Sequence, residues 1–264
     1  MEFLLYILLG ISAGILSGLF GIGGGIVMVP ALILFFGLDI FNANATSLAA
    51  MLLPVGIFGV IAYYKAGLVH IKESLWIAAG LFAGSFAGAE LAVNLSEKIL
   101  TISYAAFLLY IAFVYFEIYE WLRAKFSKQI QKNETQKPYR KRIVSFVMIG
   151  LAAGVFAGMF GKGGGIIIVP LLIGLFNYEG KKAVATSLAA LQLPVGLPSV
   201  IIYAQAGYFN LTYAALIAMG IVAGSLAGSY IGIKLHDKTF KKLFALFLII
   251  MSVYMLTGYS LDTK

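Results

Sequence analysis

The sequence predicts an all-α integral membrane protein made of two inverted-topology repeats of five hydrophobic segments each, with broken or half-helices at its Gly-rich motifs. Three observations predict this: an extreme apolar composition, a gapless internal repeat, and a one-sided distribution of lysine and arginine.

Of 264 residues, 61% are hydrophobic and 11% charged. A soluble domain carries about 45–50% apolar and about 25% charged residues, so this chain cannot cover a soluble surface. Apolar stretches of roughly 18–21 residues recur along it, long enough to cross a hydrocarbon core of about 30 Å. Length alone suggests one or two soluble domains, but these runs overrule it.

The repeat is read directly from the residues. GIGGGIVMVP at 21–30 returns as GKGGGIIIVP at 161–170, and ATSLAAMLLPVG at 45–56 returns as ATSLAALQLPVG at 185–196. The offset is 140 throughout, and 41 of the 89 pairs from Gly10/Gly150 to Lys98/Lys238 are identical. Such a match is a duplication. The run Phe3–Phe20, which returns as Ile143–Phe160, is therefore expected to be a structural segment and not a cleaved leader.

Each copy divides into five apolar segments, at about 3–20, 24–36, 45–64, 74–93 and 98–119, then at about 143–160, 164–176, 185–204, 211–232 and 240–258. The organisation is a first repeat over 1–120, a basic cytoplasmic linker over 121–142 and a second repeat over 143–264. Each second segment is short, roughly 20 Å of helix, opens on glycines and contains Pro30 or Pro170. A broken or half-helix is expected there. Pro54, Pro194 and Pro198 are expected to kink or break the third segments.

An odd number of segments makes the copies face opposite ways. Net charge is +8, and eight of the nineteen Lys and Arg lie between Arg123 and Arg142. With that loop in the cytoplasm, sixteen of the nineteen fall inside and only Lys98, Lys162 and Lys264 fall outside or at depth. Both termini are then non-cytoplasmic and the chain is a multi-pass protein of the cell membrane. Charge does not separate ten crossings from six crossings with two re-entrant hairpins. The basic cluster reads as topology, so the expected partners are the lipid bilayer and a small anionic substrate, with no nucleic acid. Self-association into a homo-oligomer is compatible with this reading. There is no Cys, and only His70 and His236 could serve as imidazole ligands. No cofactor, metal site or catalytic residue is expected.

The glycine clusters Gly21, Gly23, Gly24, Gly25 and Gly161, Gly163, Gly164, Gly165 open the short segments. A helix N-terminus leaves N–H groups unpaired and carries the positive end of the dipole, which favours an anion. The simpler reading is close helix packing. GIGGG lacks the GxGxxG and Walker patterns, which excludes a nucleotide site. Thr46, Ser47, Thr186 and Ser187 read as hydroxyls at a helix start, capping it or donating to an oxyanion. Lys162 replaces Ile22 and Gln192 replaces Leu52 between the copies. Lys162 is a cation for an oxyanion or a lysine snorkelling to water; Gln192 is a substrate contact or an interhelical bond. Glu90 is the one proton-coupling candidate, near enough to a segment end to face water instead. Tyr63 and Tyr203 line a cavity or belong to an interfacial aromatic belt. Glycines at every fourth position, Gly10-Gly14-Gly18 and Gly80-Gly84-Gly88 with their repeats, are small-xxx-small packing.

Together GLFGIGGGIVMVPALI, NATSLAAMLLPVG and YYKAGLV, with GMFGKGGGIIIVPLLI and ATSLAALQLPVG, resemble the sulfite exporter TauE/SafE family over nearly the whole chain apart from the basic linker. The resemblance implies a cytoplasmic-membrane permease for sulfite, organosulfonates or other sulfur-containing anions, with the glycine motifs as the site. The expected activity is secondary transport by alternating access. The alternatives are a passive anion channel or a membrane subunit of a larger transport system.

Overall fold

The computed structural model describes residues 2–20, 24–52, 56–113, 139–161, 164–176, 178–234, 249–250 and 252–254. Eleven helices lie among them: α1 (Glu2–Phe20), α2 (Gly25–Phe36), α3 (Ile40–Ala50), α4 (Ile57–Lys65), α5 (Ile71–Val93), α6 (Glu97–Phe113), α7 (Tyr139–Phe160), α8 (Gly164–Phe176), α9 (Gly180–Ala190), α10 (Leu197–Gln205) and α11 (Leu211–Lys234). No strand occurs among the described residues. Three stretches, 71–93, 143–160 and 211–231, are long and apolar enough to cross a membrane.

The short second segments are helices, as their composition predicts, and the third segments are broken, as their prolines predict. Each third segment is two helices, α3 and α4 in the first copy and α9 and α10 in the second. The breaks fall where the prolines stand. Pro54 lies between α3 and α4 and Pro194 between α9 and α10, while Pro198 sits in the first turn of α10, where its missing N–H costs nothing. The last segment, about 240–258, falls largely outside the described residues, as do 114–138, which take in the end of the fifth segment and most of the basic linker.

Two compact units emerge, and each draws on both sequence copies. One holds 1–95 with 143–234, the other 96–142 with 235–264. In the second unit α6 buries Leu100, Tyr104, Ala105 and Leu108, and Ser252 Oγ donates to the Ala105 carbonyl at 2.7 Å.

In the first unit, the glycine ladders decide which helices meet. Gly80 and Gly84 of α5 lie against Gly150 and Gly154 of α7, and Gly10 of α1 lies against Gly220 of α11. A β-carbon on any of these would overlap a backbone carbonyl of the partner: Gly84 meets Leu151, Gly154 meets Leu81, Gly10 meets Ile217 and Gly224 meets Ile11. Positions ascend together in both pairs, so α1 runs the same way as α11, and α5 the same way as α7. Adding or subtracting 140 converts one pair into the other. In lipid no hydrophobic force drives helices together, and such close backbone approach supplies the attraction instead.

The outward faces are the reverse of a soluble helix. On α5 the buried side carries Ile77, Gly80, Leu81, Gly84, Ser85 and Gly88, while Leu75, Trp76, Phe82, Phe86 and Leu91 are exposed. The glycines and Ser85 face protein beside Ile77 and Leu81, and the bulkiest side chains, Trp76, Phe82 and Phe86, face out. A contiguous surface of that kind marks contact with lipid. The core beneath it is shared by the copies: Ile77 and Leu81 of α5 pack with Phe146 and Ile149 of α7, Ile168 and Leu172 of α8 and Ala183 of α9.

Candidate functional site

Gly24 and Gly164, at the starts of α2 and α8, lie against the middle of a long helix. Gly24 takes φ +68° and precedes α2 with no side-chain cap. A β-carbon there would lie 2.9 Å from the carbonyl of Ala13, well inside α1. Gly164, its counterpart, lies beside Ala153 and Ala157 of α7 and the side chain of Leu81. From these starts α2 and α8 run back along the helix that preceded them. Phe36 at the end of α2 stacks on Tyr6 at 4.1 Å, and Phe176 stacks on Phe146 at 4.5 Å. Each glycine-opened helix therefore begins at mid-height of its neighbour and returns to the side from which that neighbour set out. Gly24, Gly25, Gly164 and Gly165 are buried there. Of the sequence-derived site residues, Gly21, Gly23, Lys162 and Gly163 lie outside the described residues.

Gly161 is gripped by the other copy. It takes φ +69°, a conformation that favours glycine, and a β-carbon would meet Val29 and Asn44. Ser47 Oγ donates to the Gly161 carbonyl at 2.9 Å. Asn44 Nδ2 donates to the Met159 carbonyl at 2.8 Å, and its nitrogen is 3.5 Å from the hydroxyl of Tyr203. That hydroxyl donates in turn to the Gly158 carbonyl at 3.1 Å. Carbonyls at the end of α7 have no intrahelical donors, and these side chains supply them. The first copy repeats one part of this: Tyr63 Oη donates to the Gly18 carbonyl at 3.0 Å. Tyr63 and Tyr203 are both fully buried, so neither belongs to an aromatic belt. Asn44 was visible to sequence reasoning by the same signal that singles out Lys162 and Gln192, a polar residue where the other copy has Val184.

The hydroxyls of the ATS motifs do not cap helices. Thr46 and Ser47 lie past the middle of α3, whose N-cap is Asp39, accepting from the Asn42 N–H at 2.9 Å. Thr186 and Ser187 lie equally deep in α9, which starts at Gly180 after Glu179. The helices begin earlier than the apolar runs because Asp39 and the Glu179-Gly180 corner are turn residues that start them. All four hydroxyl-bearing residues are buried. Thr186 joins the start of α5: Ser74 Oγ donates to its carbonyl at 2.9 Å, and the His70 N–H lies 3.4 Å from its Oγ1.

Gln192 makes an interhelical bond. Its Oε1 accepts from the Gly56 N–H at 2.9 Å and its Nε2 donates to the Leu188 carbonyl at 3.0 Å. The break in the second copy is also closed by Ser85, whose Oγ donates to Val195 at 2.7 Å, and by Ser199, whose Oγ donates to Ser85 at 2.7 Å. Irregular backbone in a membrane survives only where protein satisfies it. Glu90 is exposed on α5, apart from these clusters, and so is its counterpart Tyr230. Among the described residues no three His, Asp or Glu side chains gather in a way that could hold a metal ion.

Both copies thus carry a glycine-opened short helix folded back along a long one. The family model for Sulfite exporter TauE/SafE matches residues 6–255. The chain belongs to the TauE/SafE family. It is 28% identical to Probable membrane transporter protein YunE of Bacillus subtilis, over 95% of this chain and 96% of that one. A probable membrane transporter protein of Methanocaldococcus jannaschii is 29% identical over 96% of this chain and 94% of its own. Another, from Haemophilus influenzae, is 31% identical over 96% and 97%. No solved structure matches the chain significantly. As a TauE/SafE protein it is a membrane transporter, and the apolar faces of its long helices agree with that.

Proposed function

We propose that this protein is a secondary transporter of small anions, with sulfite, organosulfonates or another sulfur-containing oxyanion as cargo, working by alternating access of two inverted repeats in the cell membrane. The observation that carries the reading is the pair of half-helices. Each opens on glycine at mid-height of a long helix, which aims unpaired N–H groups and a positive dipole end into the interior of the protein. Discontinuous helices meeting at depth are how many secondary transporters build a substrate site.

Inversion is supported by chain direction. Ser74 pairs with Thr186, and Ser85 with Val195 and Ser199, so α5 runs the same way as α9 and α10. Residues 66–70 alone connect α4 to α5, which turns α5 back against α4. The third segment of the second copy then opposes that of the first. Together with the basic loop this favours a cytoplasmic 121–142 and non-cytoplasmic termini. In this reading Gly21, Gly23–Gly25, Gly161 and Gly163–Gly165 offer N–H donors. Thr46, Ser47, Thr186 and Ser187 add buried hydroxyls, Lys162 supplies positive charge, and Gln192 holds the two broken segments in register.

The test is thermal stabilisation of the purified protein by sulfite, thiosulfate, sulfate, sulfoacetate, taurine and chloride, beside Lys162→Met. A ligand of the folded state raises apparent stability by mass action. Selective stabilisation by one sulfur anion, weakened in Lys162→Met, supports the reading. Wild-type protein that no anion stabilises would count against it.

A further inference from the structure

We propose that Asn44 Oδ1 contacts the transported anion and selects anions that carry a hydrogen-bond donor. This rests on the anion-transport reading above and narrows its substrate class.

Asn44 is fully buried, and its Oδ1 has no hydrogen-bond partner. The other half of the amide is held: Nδ2 donates to the Met159 carbonyl at 2.8 Å. That carbonyl can only accept, so the amide cannot turn over to present its NH₂ where Oδ1 stands. Oδ1 faces the glycine break. A β-carbon on Gly161 would lie 2.9 Å from it, and Ser47, one turn further along α3, bonds the Gly161 carbonyl. A buried acceptor without a donor is unfavourable, and lipid makes it more so because no water reaches it. The amide is particular to the first copy, since Val184 occupies the equivalent position in the second.

An acceptor oxygen beside an anion site repels a bare oxyanion. It is compensated only by a ligand that brings its own O–H or N–H. The chemistry that fits is a small monoanion with a donor: a hydroxy- or amino-substituted sulfonate, or an oxyanion that keeps one proton. Backbone N–H groups at Gly164 and Gly165, which open α8, would hold the anionic end while Asn44 reads the donor. Oδ1 is closed to solvent in this conformation, as a site in an alternating-access carrier is between openings.

The test uses the full chain, purified, with a matched pair of sulfonates of equal charge and similar size: 2-hydroxyethanesulfonate and propanesulfonate. Apparent affinities come from thermal-shift titrations of wild type and Asn44→Val. The expected result is about tenfold tighter binding of the hydroxysulfonate by wild type. Asn44→Val should lose that preference by weakening the hydroxysulfonate alone. If Asn44→Val does not fold, Asn44→Thr, which keeps an oxygen in the shape of valine, should retain part of the preference. Sulfonates that bind wild type without preference, or with the same preference in the variant, would overturn the role of Asn44 and leave the transport reading standing. If neither sulfonate nor sulfite or thiosulfate stabilises wild type, the anion reading itself fails and this inference fails with it.

Discussion

Gln192 of the second copy accepts a hydrogen bond from the backbone N–H of Gly56 in the first, 2.9 Å away, and so joins the two places where a third segment is interrupted. Its Nε2 is spent on Leu188 in its own helix row. Replacing it with leucine, the residue at the equivalent position 52, leaves Gly56 N–H without this acceptor. The expected loss is about 1–3 kcal/mol, read as a lower melting temperature in detergent. If Gln192 served only the substrate, Gln192→Leu would lower affinity and leave the melting temperature unchanged.

The tyrosines bond matched carbonyls in the two copies, and Tyr203 also meets Asn44, whose counterpart is Val184. Tyr63→Phe removes the bond to Gly18, and Tyr203→Phe removes the equivalent bond to Gly158. Each should cost about 0.5–1.5 kcal/mol. Tyr203→Phe should cost more, because Asn44 Nδ2 also approaches that hydroxyl. Chemical denaturation of the two variants side by side measures the difference, and equal losses would remove Asn44 from the network around Tyr203.

Glycine positions divide into two groups with opposite expectations. Gly84→Leu and Gly154→Leu place side chains into the facing backbone of α5 and α7, with no flexible neighbour to yield. Neither variant should yield folded protein, and Gly10→Leu and Gly224→Leu should fail likewise at the α1–α11 contact. Gly174 lies inside α8 with open space around it and no positive φ. Gly174→Ala should stabilise by about 0.5–1 kcal/mol. Folded-protein yield and melting temperature by size-exclusion and thermal scans check both groups.

Much of the architecture is legible in the sequence because the duplication exposes it. The gapless offset located α2 and α8, and the fourfold glycine spacing marked the faces that pack. What the residues did not reveal is partnership: nothing in Gly80 says that it meets Gly150 of the other copy and not Gly10 of its own. The start of α3 was missed because Phe41 to Ala45 is polar and apolar without rhythm, and its true signal is Asp39 bonding Asn42. Thr46 and Ser47 accordingly read as residues of a helix start, where capping is one of two readings, although they lie past the middle of α3. Lys162 stood out as a charge and Asn44 only as a sequence difference, although the structure gives Asn44 the more telling environment, a buried acceptor facing the glycine break.

Ser47 tests the grip on that break. Ser47→Ala loses its bond to the Gly161 carbonyl and frees the turn to reorient. Anion affinity is expected to fall by about tenfold with a smaller change in melting temperature, while Ser47→Thr should keep most of both. Isothermal titration with the stabilising anion gives the comparison, and unchanged affinity in Ser47→Ala would separate the turn from the site.

The central claim is carrier-type transport of a sulfur-containing anion, and counterflow measures it most directly. Proteoliposomes loaded with unlabelled sulfite or sulfonate would be diluted into labelled anion at a low concentration. The account predicts transient accumulation of label above its equilibrium level, because unlabelled anion leaving drives labelled anion inward through the same alternating site. Label that enters only to equilibrium, at a rate indifferent to what is inside, would contradict a carrier and indicate a channel.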